Sequence, residues 1–432
     1  MQQAIGKYRW TICGLVFFAT TINYLDRAVI SLLKSSLTKE FSWSETDYSN
    51  IVVAFQLCYA FGLLFAGRLI DKLGTKIGYA LATGLWSVAA AAHALVTGTT
   101  GFFVARGALG ITEAGNFPAA IKTVAEWFPQ KERAFATGIF NSGTNIGAIL
   151  APLTVPFIAA AWGWQWAFIL TGAIGFIWLI FWFLMYEVPQ KHQKLSKAEF
   201  EHIHSDTAGA IIQSADEATL SWGKLLTYKQ TWAFAIGKFL TDPVWWFFLF
   251  WLPDFLEKEY GLSKTAIALP VALAYTLAAV GSIFGGWLPI VFIKKKWSVF
   301  RSRKTAMLIY ACCVLPVVSA QYLGNINMWL ALLVIGLAMS AHQAWSANIY
   351  TTVSDMFPKS ATATVIGIGG MCGALGGMLV AKLAGKLFDY YKTTPEPKTG
   401  YMIMFLICSV SYLIAWFIMH VLVPKMKKLD SE

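Results

Sequence analysis

Six charged side chains interrupt long apolar stretches of this chain. They form the pairs Asp26–Arg27, Arg106–Glu113 and Lys238–Asp242. Charges in such surroundings are energetically costly and usually mark the path of an ion or a charged solute. An arginine fork can bind a carboxylate in a bidentate fashion, and a carboxyl group shielded from water can gain and lose a proton. The chemistry that these residue types indicate is the binding of an anion together with protons.

Helical spacing predicts how the first four charges can meet. Arg106 and Glu113 are two turns apart, about 10 Å along one face, so they share a cavity without forming a direct pair. Asp26 and Arg27 are adjacent and point about 100° apart. We therefore expect Arg106 to pair with Asp26 across a helix bundle. The alternative interpretation is a purely structural set of salt bridges near a helix end.

Other polar and aromatic side chains fall in the same apolar stretches and offer hydrogen bonds or stacking to a solute. Lys238 and Asp242 have i,i+4 spacing, so they either neutralise each other or provide a second contact to the solute. Any of the uncharged members could equally form a hydrogen bond between helices. We predict that the contacts include Tyr24, Tyr59, Asn141, Thr144, Asn145, Lys238, Trp245, His342 and Gln343.

The elements that carry these residues are apolar runs of membrane-spanning length. Of 432 residues, 57% are hydrophobic and only 13% are charged, which excludes a disordered chain and a typical soluble enzyme. A bilayer-spanning helix needs about 20 apolar residues. Twelve runs meet this requirement, near 8–31, 48–68, 77–97, 99–121, 134–160, 164–186, 230–253, 265–293, 305–323, 327–352, 361–388 and 400–423. The sequence predicts an all-α polytopic membrane protein whose partner is the lipid bilayer.

The net charge of +11 is explained by membrane topology. Roughly two-thirds of the Lys and Arg residues fall on one side if both termini are cytoplasmic, as the positive-inside tendency requires. We therefore expect no nucleic-acid partner. The longest polar stretch divides the runs six and six. The predicted domains are a bundle at 1–187, a cytoplasmic linker with a short amphipathic helix at 188–229, and a second bundle at 230–432.

The two halves repeat each other. KEFSWSET at 39–46 aligns with KEYGLSKT at 258–265, and WFPQKERAFATG at 127–138 aligns with MFPKSATATVIG at 356–367. The second alignment also places His342 on Glu113. Parallel repeats of six spans are a known plan of transporters, so we predict two pseudo-symmetric six-helix bundles.

Motifs for other chemistries are absent from the sequence. We find no Walker loop, dinucleotide fingerprint, haem motif, hydrolase elbow or metal-ligand spacing, and we expect no cofactor, metal or enzymatic activity. Transport would then draw on an ion gradient. A membrane-embedded enzyme or a transporter-like sensor is the alternative class. The enzyme would need a nucleophile with its base or a metal cluster, and the sensor would need a sizeable signalling domain.

Several motifs resemble the major facilitator superfamily. The turn at 67–76, GRLIDKLGTK, is similar to its GxLxDrxGrk signature. NYLDR at 23–27, Arg106 to Pro118 as R-x6-E-A-x-x-F-P, and WFP-x-x-E-R at 127–133 resemble its anion:cation symporter family, which includes the relatives of sialin. LGTKIGYA, ARGALGITEA and SDMFP are similar to segments of the bacterial hexuronate transporters in that family. The signature implies conformational gating by Gly67, Asp71, Lys72 and Gly74.

The resemblance implies a function and a division of roles. It implies that Asp26 and Glu113 carry protons and that Arg27 and Arg106 hold the substrate carboxylate. We expect proton-coupled symport of a hexuronate (glucuronate or galacturonate) by alternating access, by a monomer in the bacterial cytoplasmic membrane. The alternatives are an aldonate, glucarate or an acidic amino sugar, or coupling to a cation other than the proton. Thr144 replaces a Gln found in galactonate-type members, which argues against galactonate.

Overall fold

The computed structural model describes residues 6–205, 222–357 and 359–425, and these ranges contain helices and turns but no strand. The first part forms α1 (Tyr8–Leu32), α2 (Lys34–Phe41), α3 (Glu45–Leu73), α4 (Thr75–Ala92), α5 (Thr99–Glu113), α6 (Asn116–Trp127), α7 (Gln130–Trp162), α8 (Trp164–Met185) and α9 (Lys197–Ile203). The second part forms α10 (Trp222–Leu225), α11 (Lys229–Tyr260), α12 (Ala268–Lys294), α13 (Val299–Val314), α14 (Ala320–Ile326), α15 (Met328–Met356), α16 (Lys359–Lys392) and α17 (Thr399–Leu422). Short 3-10 helices lie at His93–Leu95, Pro189–Lys191 and Leu315–Ser319.

Every predicted apolar run coincides with one helix or with successive helices. Within the described ranges, 10 helices are long and apolar enough to cross a membrane. Helix α4, which carries the run at 77–97, is 18 residues long and continues into a 3-10 turn, and it is not among these ten because polar residues such as Thr75 and Lys76 lower its mean hydropathy. The run at 99–121 misses it because a turn at Ala114-Gly115 divides the run into α5 with 15 residues and α6 with 12 residues. The all-helical prediction is confirmed.

Burial distinguishes the inner helices from those that face lipid. The most apolar window of α1 is 83% buried and that of α11 is 78% buried, whereas α12 reaches only 22%. Large apolar side chains such as Ile283 on α12 and Leu184 on α8 are about three-quarters exposed, as expected of surfaces covered by lipid. The charged residues of interest lie mainly on α1, α5 and α11, so two of their three carriers are inner helices.

The contacts group the chain into two compact units. One comprises Met1–Val29 with Cys58–Glu217, and the other comprises Ile30–Leu57 with Ala218–Glu432. The grouping cuts α1 and α3 and assigns the segment 30–57 to the second unit. It therefore crosses the chain-order division into 1–187, 188–229 and 230–432, which remains a prediction.

A closed ring of four charges holds the segment 30–57 within the second unit. Lys34 lies 2.6 Å from Glu45 and 2.8 Å from Asp254, and Lys258 pairs with the same two carboxylates. Lys34, Glu45 and Asp254 are buried, and the Tyr401 hydroxyl donates to Asp254. Each charge in the ring has two partners of opposite sign, so the buried charges compensate one another.

Within the first unit, the linker helix α9 packs on the starts of α1 and α7 through another charged cluster. Its buried Glu199 accepts hydrogen bonds from the Tyr8 and Arg9 amides at the start of α1, at 3.2 and 3.1 Å. Glu132 lies 2.8 Å from both Arg9 and His202. The predicted short linker helix is therefore present, while residues 206–221 lie outside the described part of the linker.

Candidate functional site

The first cluster of charges centres on an ion pair between α1 and α5. The Arg27 Nε donates to the Glu113 Oε2 at 2.6 Å, and the two side chains are 1% and 0% exposed. The rings of Tyr24 and Tyr59 lie 4.7 and 4.5 Å from the guanidinium carbon. A cation held between two aromatic faces keeps a defined orientation while staying available to a second anion. The structure thus brings four of the predicted residues together.

The other arginine of the cluster contacts the main chain of α1. Arg106 donates from Nη2 to the main-chain oxygen of Arg27 at 2.9 Å, and the expected pair with Asp26 is not among the ion pairs of the described residues. Asp26 is 1% exposed, and neither carboxylate oxygen has a hydrogen-bond partner within the described ranges. Asp26 still interacts with the charge of Arg106, so the expected attraction is present without a direct hydrogen bond. The close ion pair between α1 and α5 is formed by Arg27 and Glu113 instead.

Helix α7 lies directly on α1 beside this cluster. A Cβ on Gly143 would fall 2.6 Å from the Phe17 oxygen, and one on Gly147 would fall 2.3 Å from the Thr21 oxygen. Glycine is therefore required for the two backbones to approach so closely. The predicted polar contacts on α7 differ in burial. Thr144 and Asn145 are buried, while Asn141 is exposed. The Thr144 hydroxyl donates to its own helix, at the Asn141 oxygen.

The second unit holds its own charged cluster on α11. The Lys238 Nζ lies 2.7 Å from the Asp242 Oδ2, and it donates to the Tyr350 hydroxyl at 3.0 Å. The same ammonium lies 4.5 Å from the centre of the Tyr350 ring. The i,i+4 pair anticipated from the spacing is therefore formed, and Tyr350 on α15 holds the lysine from the other side.

An aromatic and histidine group lies on the same helices. The Trp245 ring stacks on His342 with centroids 5.2 Å apart and an interplanar angle of 13°. The His342 Nδ1 shares a hydrogen bond with the Tyr412 hydroxyl, which also contacts the Thr241 oxygen at 3.2 Å. His342 is buried and Gln343 is half-buried. Tyr412 was not predicted, because a single Tyr in an apolar run carries no signal of its own.

Two further buried amides were missed by sequence reasoning. Asn23 and Gln56 are both 0% exposed, and no side-chain oxygen or nitrogen of either has a hydrogen-bond partner within the described ranges. Buried amides without partners are rare in proteins, and each calls for a ligand or a water. The signal for Asn23 was its place in NYLDR, one turn before Asp26, whereas Gln56 lies in a run without any motif.

The comparisons with known proteins identify the family. A model of the Major Facilitator Superfamily matches residues 16–381. The chain belongs to this superfamily. It is 35% identical over 397 residues to the hexuronate transporter of Escherichia coli strain K12, with 91% of each chain covered. It is 38% identical over 308 residues to the galacturonate transporter of Dickeya chrysanthemi, covering 71% of this chain and 89% of that one.

The solved structures agree on the fold of this superfamily member. A D-xylose-proton symporter superposes with a TM-score of 0.74 at 17% identity, covering 98% of this chain and 100% of that one. The prediction of a polytopic twelve-helix protein of the major facilitator fold is confirmed. The matching relatives are named as transporters, which also confirms the prediction of transport over enzymatic catalysis.

The superfamily signature forms the turn between α3 and α4. Gly74 has a φ of +76°, which favours glycine, and it precedes the first residue of α4. Gly67 has open space around it, and Lys72 is exposed. The Asp71 side chain lies outside the described part of the structure. The predicted gating role of these four residues therefore stays a prediction.

Residues outside the signature hold this turn in place. Glu126 on α6 accepts from the Thr75 hydroxyl at 2.6 Å and from the Tyr186 hydroxyl at 2.5 Å. Lys76 pairs with Glu187 at 2.8 Å, and the hydrogen bond from Lys76 lowers the pKa of the Glu187 carboxyl. No local pattern indicated Glu126, because its partners lie 51 and 60 residues away.

Proposed function

We propose that this chain is a proton-coupled symporter of a sugar-acid anion, with a hexuronate as its substrate. The observation that carries the proposal is the buried cluster of two arginines and two carboxylates on α1 and α5. It can be electrically neutral when empty, and it becomes a net cation when the carboxylates take up protons. The names of the relatives, hexuronate and galacturonate transporters, supply the substrate class.

Competition for Arg27 would couple the anion to the proton. A substrate carboxylate that binds Arg27 takes the place of Glu113, which leaves a fully buried carboxylate without its 2.6 Å partner. Such a charge is costly, and protonation of Glu113 removes it. By linkage, protonation of Glu113 then favours binding of the anion. Asp26, which is buried and lacks a hydrogen-bond partner within the described ranges, is the second proposed proton carrier.

The remaining predicted contacts are assigned to the sugar ring and its hydroxyl groups. Arg106 holds the main chain of Arg27 and contributes to the positive field around the carboxylate. Tyr24 and Tyr59 flank the carboxylate site through their contacts with Arg27. Polar or stacking contacts are proposed for Asn141, Thr144, Asn145, Lys238, Trp245, His342 and Gln343.

We also propose the membrane, the orientation and the mode of action. The distribution of Lys and Arg supports cytoplasmic termini in a bacterial cytoplasmic membrane. Transport would proceed by alternating access of two six-helix bundles in a monomer. The turn at 67–74 would take part in gating between the states.

Counterflow in proteoliposomes tests the function directly. Vesicles loaded with unlabelled glucuronate should accumulate labelled glucuronate transiently, and an inward proton gradient should drive net uptake without loading. Excess galacturonate should compete, whereas neutral glucose should not. Counterflow without a response to the pH gradient would mean that an ion other than the proton drives transport. No counterflow with any sugar acid would overturn the proposal.

A further inference from the structure

We propose that the second unit binds the headgroup of an anionic phospholipid in an open pocket between the start of α11 and the end of α17. The pocket has a volume of about 320 Å³ and is lined by residues 227–230 and 422–425. All of these residues belong to one compact unit. The proposal goes beyond the proposed function and does not depend on which solute the protein transports.

The charge of the pocket suits an anion. Among the described residues that line it, Lys229 and Lys425 are basic and none is acidic. Both lysines are exposed, and Thr227 and Gln230 add polar side chains to the lining. A phosphate diester carries one negative charge, and lysine is a common binder of phosphate groups. The lining therefore matches a phosphate group in both charge and hydrogen-bonding character.

Hydrogen bonds hold both walls of the pocket in place. On the α11 side, the Trp232 indole donates to the Leu226 oxygen at 2.8 Å and fixes the turn that precedes the helix. On the α17 side, the Lys304 ammonium donates to the Val423 oxygen at 3.1 Å. Lys304 thereby adds a third positive charge next to the lining. A pocket whose walls are already held binds a ligand at a smaller cost in conformational entropy.

The surroundings of the pocket favour a lipid over a soluble anion. Helix α11 begins at Lys229 and α17 ends at Leu422, and both are long and apolar enough to cross a membrane. Large apolar side chains beside the pocket are between 41% and 63% exposed, namely Leu226, Trp232, Phe417 and Val421. Basic and aromatic residues at the ends of spans are typical of the membrane interface. A phospholipid would cover this apolar border with its chains, whereas a soluble anion would leave it bare.

A built site differs in a measurable way from the general attraction of basic loops to an anionic membrane. That attraction depends on the number of positive charges near the surface, so the loss of any two exposed lysines would weaken it similarly. Binding in the pocket depends on Lys229 and Lys425 in particular. Lys194 and Lys197 are a matched pair, because both are exposed but belong to the first unit.

The experiment measures binding of dioleoyl phosphatidylglycerol to the purified full chain by native mass spectrometry, with zwitterionic dioleoyl phosphatidylcholine as the reference. We expect phosphatidylglycerol to bind about tenfold or more tightly than phosphatidylcholine. Lys229→Gln combined with Lys425→Gln should remove this preference. Lys194→Gln combined with Lys197→Gln should leave it within about twofold of the wild type.

Photo-crosslinking locates the lipid in the wild type, without any substitution. Phosphatidylglycerol with a photoreactive group near its headgroup should label peptides that contain residues 226–232 or 417–425. Labelling confined to other peptides would overturn the site, even if the double variants fail to fold. Equal binding of the two lipids, or an equal loss in the two double variants, would overturn it as well. Displacement of the lipid by an excess of soluble glycerol 3-phosphate would assign the pocket to a soluble anion instead.

Discussion

The Arg27 guanidinium is bound by Glu113 at 2.6 Å, and both side chains are withdrawn from solvent. This pair joins the innermost helix of the first unit to α5, and it leaves Asp26 as a separate buried carboxylate. The two acids of the cluster are therefore distinct. Glu113 is released only when another anion binds Arg27 in its place. Asp26 can change its protonation without breaking an ion pair.

Replacing Glu113 with Gln should separate exchange from accumulation. The amide mimics the protonated carboxyl, so Arg27 stays available to the substrate while the proton step is lost. We expect counterflow of glucuronate to persist and uptake driven by a pH gradient to fall by about tenfold or more. Asp26→Asn keeps the Arg27–Glu113 pair, so the same two assays on this variant test the role of Asp26 separately. Concentrative uptake by Glu113→Gln would exclude Glu113 as a coupling residue.

Removing Arg106 should abolish binding and transport. The substrate loses a positive partner, and Arg27 loses the hydrogen bond to its main-chain oxygen. Loss of one member of a buried charged contact costs about 2 to 5 kcal/mol, so affinity in Arg106→Ala should fall at least about 30-fold. Arg106→Lys should rescue poorly, because an ammonium cannot reproduce a planar fork. Binding by calorimetry in detergent is the measurement, and near-normal affinity in Arg106→Ala would contradict the role.

Breaking the ring of charges in the second unit should destabilise the protein. Lys34→Met leaves Glu45 and Asp254 buried with only Lys258 to compensate them. The expected loss is about 3 to 5 kcal/mol, seen as a lower thermal midpoint in detergent. Lys398→Met is the matched control, because its pair with Glu259 involves a lysine that is 56% exposed and should contribute about 1 kcal/mol or less. Equal thermal midpoints for the two variants would show that the ring contributes no more to stability than an exposed ion pair.

The contact of α9 with the starts of α1 and α7 should depend on pH through Glu132. Burial raises the pKa of the Glu132 carboxyl, but hydrogen bonds from Arg9 and His202 outweigh it and hold the pKa below the usual range. A lowered pKa contributes stability above the ordinary value for Glu, about 4.3, and this contribution is lost as the pH falls through the folded-state pKa. Glu132→Gln should therefore destabilise the protein near neutral pH by about 1 kcal/mol and progressively less towards acid.

The measurement for Glu132 is the thermal midpoint in detergent at several pH values between neutral and acid. Glu201→Gln is the control, because Glu201 is exposed on the same short helix. A destabilisation by Glu132→Gln that stays constant across this range would mean that the carboxylate charge contributes nothing to the contact.

The sequence by itself determined the elements and the residue types of the site. Apolar runs of bilayer length must form helices in lipid, so all twelve positions could be read without a structure. Charges such as Arg106 and Glu113 are conspicuous for the same reason, because they reduce the apolar character of the run that carries them. The i,i+4 pair of Lys238 and Asp242 was also predictable, since both partners lie on one helix.

Only the tertiary structure decided which charges pair across helices. The choice between Asp26 and Arg27 as the residue that pairs with a charge on α5 depends on the rotation of α1 about its axis and on its distance from α5, and spacing along one chain specifies neither. The close approach of α7 to α1 at Gly143 and Gly147 was likewise decided only by the tertiary structure. So was the ring that joins Lys34 and Glu45 to Asp254, which lies more than 200 residues after both of them in sequence. Contacts of that kind arise from packing, which no local pattern encodes.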